Sequence, residues 1–184
     1  KCPSCGSKTI KEFNNVTKKE DAVRRCSSEG YDCEKIAIEK LKHFVSKEAF
    51  NIEGFGKKIV ENFWKLNLIK LPQDIFNLDF KKIENLEGWG KQSTENLKYS
   101  ISQRKNISLE RLIYSLGIRH IGLENAKILS KYFKSFSNFI NFSNEVNSDD
   151  ILNIDGIGET QLQSVKNFFN NKVNLNILKD LQKS

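Results

Sequence analysis

From Ile36 onward the apolar positions recur mainly at three- and four-residue intervals, the period of a helix with one buried face; Ile36, Ile38, Leu41, Phe44 and Val45 open the series. Later stripes run through Ile59, Val60, Phe63 and Trp64, through Leu97 and Ile101, through Ala126, Leu129, Tyr132 and Phe133, and through Leu162, Val165, Phe168 and Phe169. A short glycine turn stands before each of these later stripes. The turns read Ile52-Glu53-Gly54-Phe55-Gly56-Lys57, Leu86-Glu87-Gly88-Trp89-Gly90-Lys91, Arg119-His120-Ile121-Gly122-Leu123 and Ile154-Asp155-Gly156-Ile157-Gly158-Glu159. Their last glycines lie 34, 32 and 36 residues apart, and the third copy carries His120 where the others have glycine. A helical stretch is expected ahead of each turn, over 47–51, 80–85, 109–116 and 148–152. Asp79 and Ser108 suit N-caps, and Pro72 suits a first helical position. The pattern predicts helix, hairpin, helix, four times over.

The first 33 residues, ahead of this series, carry all the cysteines, as Cys2-x2-Cys5 and Cys26-x6-Cys33. A C-x-x-C pair in a tight turn aims two thiolates at one ion, and a second pair completes a tetrahedron of the kind Zn²⁺ prefers. Pro3 and Gly6, and then Ser27, Ser28 and Gly30, supply the turns, while residues 8–10 and 22–25 are candidate strands. Disulfides would need an oxidising compartment, and a redox C-x-x-C would sit beside a βαβ pattern that the chain lacks. Four thiolates leave no open coordination position, so the expected role of the zinc is structural. So short a lobe buries little core, and the ion would supply most of its folding energy. His43 falls within a helical pattern and His120 within a turn, and neither reads as a ligand.

The predicted fold class is mostly α: a small zinc-ribbon-like finger at 1–34, then a helical domain at 35–184 of four helix-hairpin-helix motifs. Two pairs of hairpins would divide it, at about 35–105 and 106–184. No apolar run approaches a membrane span, and no heptad seam suggests assembly, so a monomer away from membranes is expected. The sequence contains no methionine, which reads as a fragment of a larger protein.

Thirty Lys and Arg against 23 Asp and Glu give a net charge of +7, which favours an anionic partner. The turns say where such a partner would sit. Glycines at the head of a helix let outward amide groups and the helix dipole meet a phosphate closely. The residues expected to do so are Gly54, Gly56, Lys57, Lys58, Gly88, Gly90, Lys91, Arg119, Gly122, Gly156 and Gly158. The central apolar residues Phe55, Trp89, Ile121 and Ile157 would tuck inward. In the fourth copy Asp155 and Glu159 flank the glycines, so it would add less positive charge and mainly pair with the third. Phosphate contacts read no bases, so binding would be sequence-independent and salt-sensitive. A helical protein-interaction module is the alternative, and it would need exposed apolar patches in place of phosphate-facing glycines. A repair glycosylase would need a Gly-Pro-Asp-like turn, and Pro3 and Pro72 lie in none. The turns match neither a Rossmann fingerprint nor a P-loop.

The ordered set Cys2-Pro3-x-Cys5-Gly6-Ser7, Arg25-Cys26, Cys33, residues 41–46 (Leu-Lys-His-Phe-Val-Ser), residues 86–93 (Leu-Glu-Gly-Trp-Gly-Lys-Gln-Ser), Asn96-Leu97 and residues 116–122 (Leu-Gly-Ile-Arg-His-Ile-Gly) resembles the bacterial NAD-dependent DNA ligases across the whole chain. That resemblance implies a four-cysteine zinc finger joined to four helix-hairpin-helix motifs that help encircle nicked duplex DNA from its minor-groove side. It also implies a cytoplasmic parent enzyme that seals nicks in replication and repair with NAD and Mg²⁺. Its partners would be nicked double-stranded DNA and the remaining ligase domains. The chemistry would lie in an adenylation domain and an oligonucleotide-binding barrel, with a BRCT-type domain beyond residue 184. No K-x-D-G occurs in this chain, so no catalytic residue is expected here.

Overall fold

The computed structural model describes residues 1–11, 13–14, 18–28, 30–144 and 154–183. Its N-terminal lobe holds two minimal antiparallel ribbons. Strand β1 (Thr9–Ile10) pairs with β4 (Arg25–Cys26), placing Thr9 opposite Cys26, and β2 (Phe13–Asn14) pairs with β3 (Lys19–Glu20). The β2–β3 ribbon has no counterpart in the sequence reading, and the second expected strand begins at Arg25 instead of Ala22. Two-residue strands carry too little alternation to announce themselves.

Cys33 caps the first helix, α1 (Glu34–Val45), and is buried. Next come α2 (Lys57–Lys65), a 3-10 helix at Pro72–Asn77, α3 (Phe80–Glu84) and α4 (Lys91–Gln103). The rest of the chain forms α5 (Leu109–Ser115), α6 (Leu123–Phe133), α7 (Phe136–Asn141), α8 (Glu159–Phe169) and α9 (Lys172–Lys183). Pro72 opens the 3-10 helix, and the Asp79 carboxylate accepts from the Lys81 and Lys82 amides, as an N-cap should. Ser108 precedes α5 but makes no side-chain cap. The stretch expected at 148–152 lies outside the described residues.

One expected helix is absent. Residues 47–50 form turns, because α1 ends at Val45 and Ser46 is extended. The chain then doubles back, with the Phe50 amide on Phe44 O and the Asn51 amide on Ser46 O, and Asn51 adopts φ +51°. Two arginines from later in the chain satisfy the carbonyls this leaves open. Arg111 donates to Ala49 O (2.8 Å) and to Lys47 O, and Arg104 donates to Asn51 O (3.0 Å).

Two hydrophobic cores form. The first gathers Leu41, Phe44, Val60, Phe63, Ile75, Ile83 and Leu97, and ends at Leu112. The second begins at the next residue, Ile113, and gathers Leu129, Phe133, Phe139, Val165, Phe169 and Leu178. Helix α5 therefore serves both. So does α9, which packs on the 3-10 helix and on α7 and α8 while Leu181 lies against both cores. Most stripe residues are buried as the helical period requires; Ile36, Ile38, Ile59 and Phe168 are half-buried, and Tyr132 is 42% exposed.

Candidate metal centre and nucleic-acid interface

The four cysteines converge. The Cys2 amide donates to Ser7 O, and the Gly6 amide returns to Cys2 O with Gly6 at φ +73°, closing a turn that presents Cys2 and Cys5 together. Cys26 arrives at the end of β4 and Cys33 at the head of α1. Sγ–Sγ distances are 3.9 Å for Cys2–Cys33 and 3.4 Å for Cys5–Cys26, and all four sulfurs lie within 4.8 Å of one another. Four sulfurs at about 2.3 Å from a central ion sit about 3.8 Å apart in a regular tetrahedron. The cage fits one metal ion. The Ser28 hydroxyl reaches both Cys5 Sγ (3.4 Å) and Ser7 Oγ (2.9 Å), and the Ser28 amide donates to Cys26 Sγ (3.4 Å). Hydrogen bonds from Ser28 and then Ser7 bring the Cys5 thiol down to about 5, and the Cys5 and Ser4 amides lower Cys2. Ser28 also acts to lower Cys26, but burial and the neighbouring Cys5 and Cys2 thiols together raise it. From sequence Ser28 was read only as a turn former and Ser7 only as part of the ordered motif; their part in the sulfur cage needed the fold.

The four glycine turns share one backbone. In each a hydrogen bond closes a four-residue turn: Phe55 N to Ile52 O, Trp89 N to Leu86 O, Ile121 N to Ile118 O and Ile157 N to Ile154 O, at 3.0–3.2 Å. The third residue of each is left-handed, with Gly54 at φ +76°, Gly88 at +79°, His120 at +60° and Gly156 at +86°. Phe55, Ile121 and Ile157 are buried and Trp89 is half-buried against Phe63, so the central side chain does turn inward.

The closing glycine of each turn differs in kind. Gly56 (φ −69°, ψ 168°), Gly90, Gly122 and Gly158 are all extended and are the N-caps of α2, α4, α6 and α8, with no side-chain cap on the first amides. Backbone geometry does not require glycine at these four positions. A Cβ added at Gly56, Gly90 or Gly122 would meet nothing within 4 Å. Serine or aspartate would ordinarily be chosen to cap such a helix. Glycine here leaves the helix head bare and the space before it open.

Gly54, Gly56, Lys57 and Lys58 are exposed together at the first tip, and Gly88 and Lys91 at the second, with Gly90 half-buried. Gly54 and Gly88 line one groove of about 660 Å³, with Ser93, Asn96 and the 66%-exposed Tyr99 along α4. The Gly90 amide donates to Ser93 Oγ (3.0 Å), fixing that helix head. The fourth tip is closer to protein: a Cβ at Gly156 would lie 2.6 Å from Ile128 of α6, and one at Gly158 would lie 3.1 Å from Gln161 Oε1.

Arg119, at the third turn, meets the finger. Its guanidinium reaches Asp21 Oδ2 of the finger (3.6 Å), an oxygen that Arg25 Nε also approaches (3.5 Å). His120 beside it is held below the ordinary imidazole value by burial and then by the Arg119 charge. His43 is a packing residue: its Nε2 lies 2.7 Å from Tyr114 O and its ring meets Tyr114 edge-on. No helix among the described residues is long and apolar enough to cross a membrane.

A family model described as "Helix-hairpin-helix motif" matches residues 111–178. With the cysteine cage, this makes the fold a four-cysteine finger followed by a helix-hairpin-helix domain. Over its whole length the chain is 66% identical to a DNA ligase of Pelagibacter ubique. It is 43% identical over 98% of its length to a DNA ligase of Rickettsia bellii, and 39% identical over all of it to one of Parvibaculum lavamentivorans. The chain spans 27% of the length of each of these relatives.

Proposed function

We propose that this chain, a relative of one segment of bacterial DNA ligases along its whole length, is the part of such an enzyme that grips the backbone of nicked duplex DNA. The parent would seal nicks in replication and repair using NAD and Mg²⁺, with its adenylation lysine elsewhere and this segment inactive alone. One observation carries the reading. Gly56, Gly90 and Gly122 stand where the backbone does not need glycine, at bare helix heads that face open space. A phosphate oxygen placed there meets outward amides and the positive end of a helix dipole without a side chain in the way. Lys57, Lys58 and Lys91 add charge at the first two tips. Nothing in such contacts distinguishes one base pair from another, so binding is sequence-independent.

Zn²⁺ is the ion we assign to Cys2, Cys5, Cys26 and Cys33, since four thiolates form a soft, closed tetrahedral set. Bound there, it ties β4, the N-terminal turn and the head of α1 into one unit and performs no chemistry on a substrate. The chain itself works as a monomer in the cytoplasm, joined to the remaining ligase domains.

Duplex binding measured by fluorescence anisotropy across a salt series tests the proposal. Affinity for nicked and intact duplexes of unrelated sequence should be equal within a few-fold and fall steeply as salt rises. Absence of binding at low salt, or a strong preference for one sequence, would refute it. A protein partner held by apolar contact would instead show little salt dependence.

A further inference from the structure

A recess of about 300 Å³ opens where the two cores meet, large enough for a small molecule. Three residues that line it, Leu109, Phe136 and Leu181, pack against both cores and are still only half-buried. Phe50 and Phe76 add an aromatic wall, with ring centroids 5.3 Å apart, and Phe136 brings a third ring from α7. The rim has a different character. Exposed Lys105 and Lys134 line it, and among the described residues that do so none is acidic. Lys105 makes a further interaction of its own with the protein, so the charge is assigned to Lys134. That residue ends α6 at φ +63°, a left-handed position that ordinarily favours glycine. Beside it the Ser135 hydroxyl accepts from the Asn138 amide (3.1 Å) and has a proton of its own to donate.

Three phenyl rings with an ammonium and a hydroxyl donor at the rim are complementary to a flat apolar body that carries one negative charge. We propose that the seam between the cores binds a small aromatic monocarboxylate, its ring among Phe50, Phe76 and Phe136 and its carboxylate at Lys134 and Ser135. A recess of this volume takes one or two fused rings and is too small for a folded segment of another protein. An occupant touches Leu109, Phe136 and Leu181, so it joins the two cores and stabilises the helical domain as a whole. The site is therefore placed to regulate how rigidly the two pairs of hairpins are held together. None of these residues takes part in the proposed grip on DNA, so the two readings stand or fall separately.

The probe is 2-naphthoate, with 2-naphthylmethanol as its uncharged counterpart, each titrated into the zinc-loaded chain and followed by amide chemical shifts in two-dimensional NMR. Naphthoate should bind saturably with a Kd on the order of 1 mM or tighter. It should shift the amides of Leu109, Ser135, Phe136 and Leu181 together, and at ten times Kd raise Tm by about 3–5 °C. The alcohol should bind roughly tenfold more weakly. Lys134→Gln should remove that difference between acid and alcohol. Ile107→Trp, which fills the recess from a half-buried lining position, should abolish binding of both while the helical circular dichroism is kept. Absence of saturation below about 10 mM, shifts centred away from the seam, or equal affinity for acid and alcohol in the wild type would each overturn the proposal. Should Ile107→Trp fail to fold, Lys134→Gln, at an exposed position, decides the matter: an undiminished preference for the acid sinks the assignment.

Discussion

Replacing Gly56 by valine separates the anion-binding role of a closing glycine from any structural one. At φ −69° and ψ 168° every residue type is comfortable, and no atom lies within 4 Å of the added Cβ. The cost to folding is then the difference between glycine and an aliphatic residue at an N-cap, roughly 0.5–1 kcal/mol. For a chain of this size that is a fall in Tm of about 2–4 °C per kcal/mol. The effect on binding should be larger. A backbone amide donating to a phosphate contributes about 1.5–3 kcal/mol, so loss of one such bond weakens binding roughly ten- to a hundredfold. Valine removes no charge, so the salt slope should stay where it is. Gly54→Val is the control: at φ +76° it forces a side chain into the left-handed region, at about 1–2 kcal/mol. Anisotropy titrations and thermal melts of the two variants give both quantities. The reasoning fails if Gly56→Val binds like the wild type, or if across both variants the loss of affinity merely follows the loss of Tm.

Three further outcomes follow from the same geometry. Chelation should unfold residues 1–33 while leaving most helical circular dichroism, because the second core and most of the first are built after Cys33; a single transition that abolishes the helical signal would contradict this. Arg111→Ala should cost about 2 kcal/mol in denaturant unfolding, since the carbonyls of Lys47 and Ala49 lose a charged donor. His120, whose imidazole is lowered in the folded state by burial and then by Arg119, takes up its proton more readily unfolded. Its contribution to stability is therefore full above the ordinary value of 6.5 and is lost as pH falls from there through the lowered folded value. His120→Asn, which tolerates the left-handed backbone, should flatten that part of the profile relative to the wild type.

Much of this could be read from residue order. The four turns announced themselves because each repeats an acid or base, a glycine or its stand-in, an inward apolar residue and a helix start. The convergence of Cys2, Cys5, Cys26 and Cys33 was legible because paired spacings of this kind are those of metal-ligand sets. The helix expected at 47–51 failed for a reason that sequence hides: two arginines more than fifty residues away satisfy the carbonyls of that segment, so a non-helical path loses nothing. The helices α7 and α9 drew no notice for want of a glycine turn before them. The asymmetry between the two glycines of each turn was invisible as well. Only backbone angles distinguish Gly54, which must be glycine to be relaxed, from Gly56, which need not be. Asp21 carried no motif, and its meeting with Arg119 depends on how finger and hairpin pack.

Leu112 and Ile113 are neighbours on one short helix, yet each belongs to a different core. A segment shared in this way cannot act as a hinge: bending it would open apolar packing on both sides at once, and α9 straps the far end through Leu181. In the proposed grip the two pairs of hairpins would then be jaws of a fixed caliper. Once one pair had seized a strand, the other would already be held at its working distance, and its capture would be an intramolecular event with a high effective concentration. Individually weak holds on sugar–phosphate would sum into a long dwell time on the duplex, and a single jaw letting go would not release it.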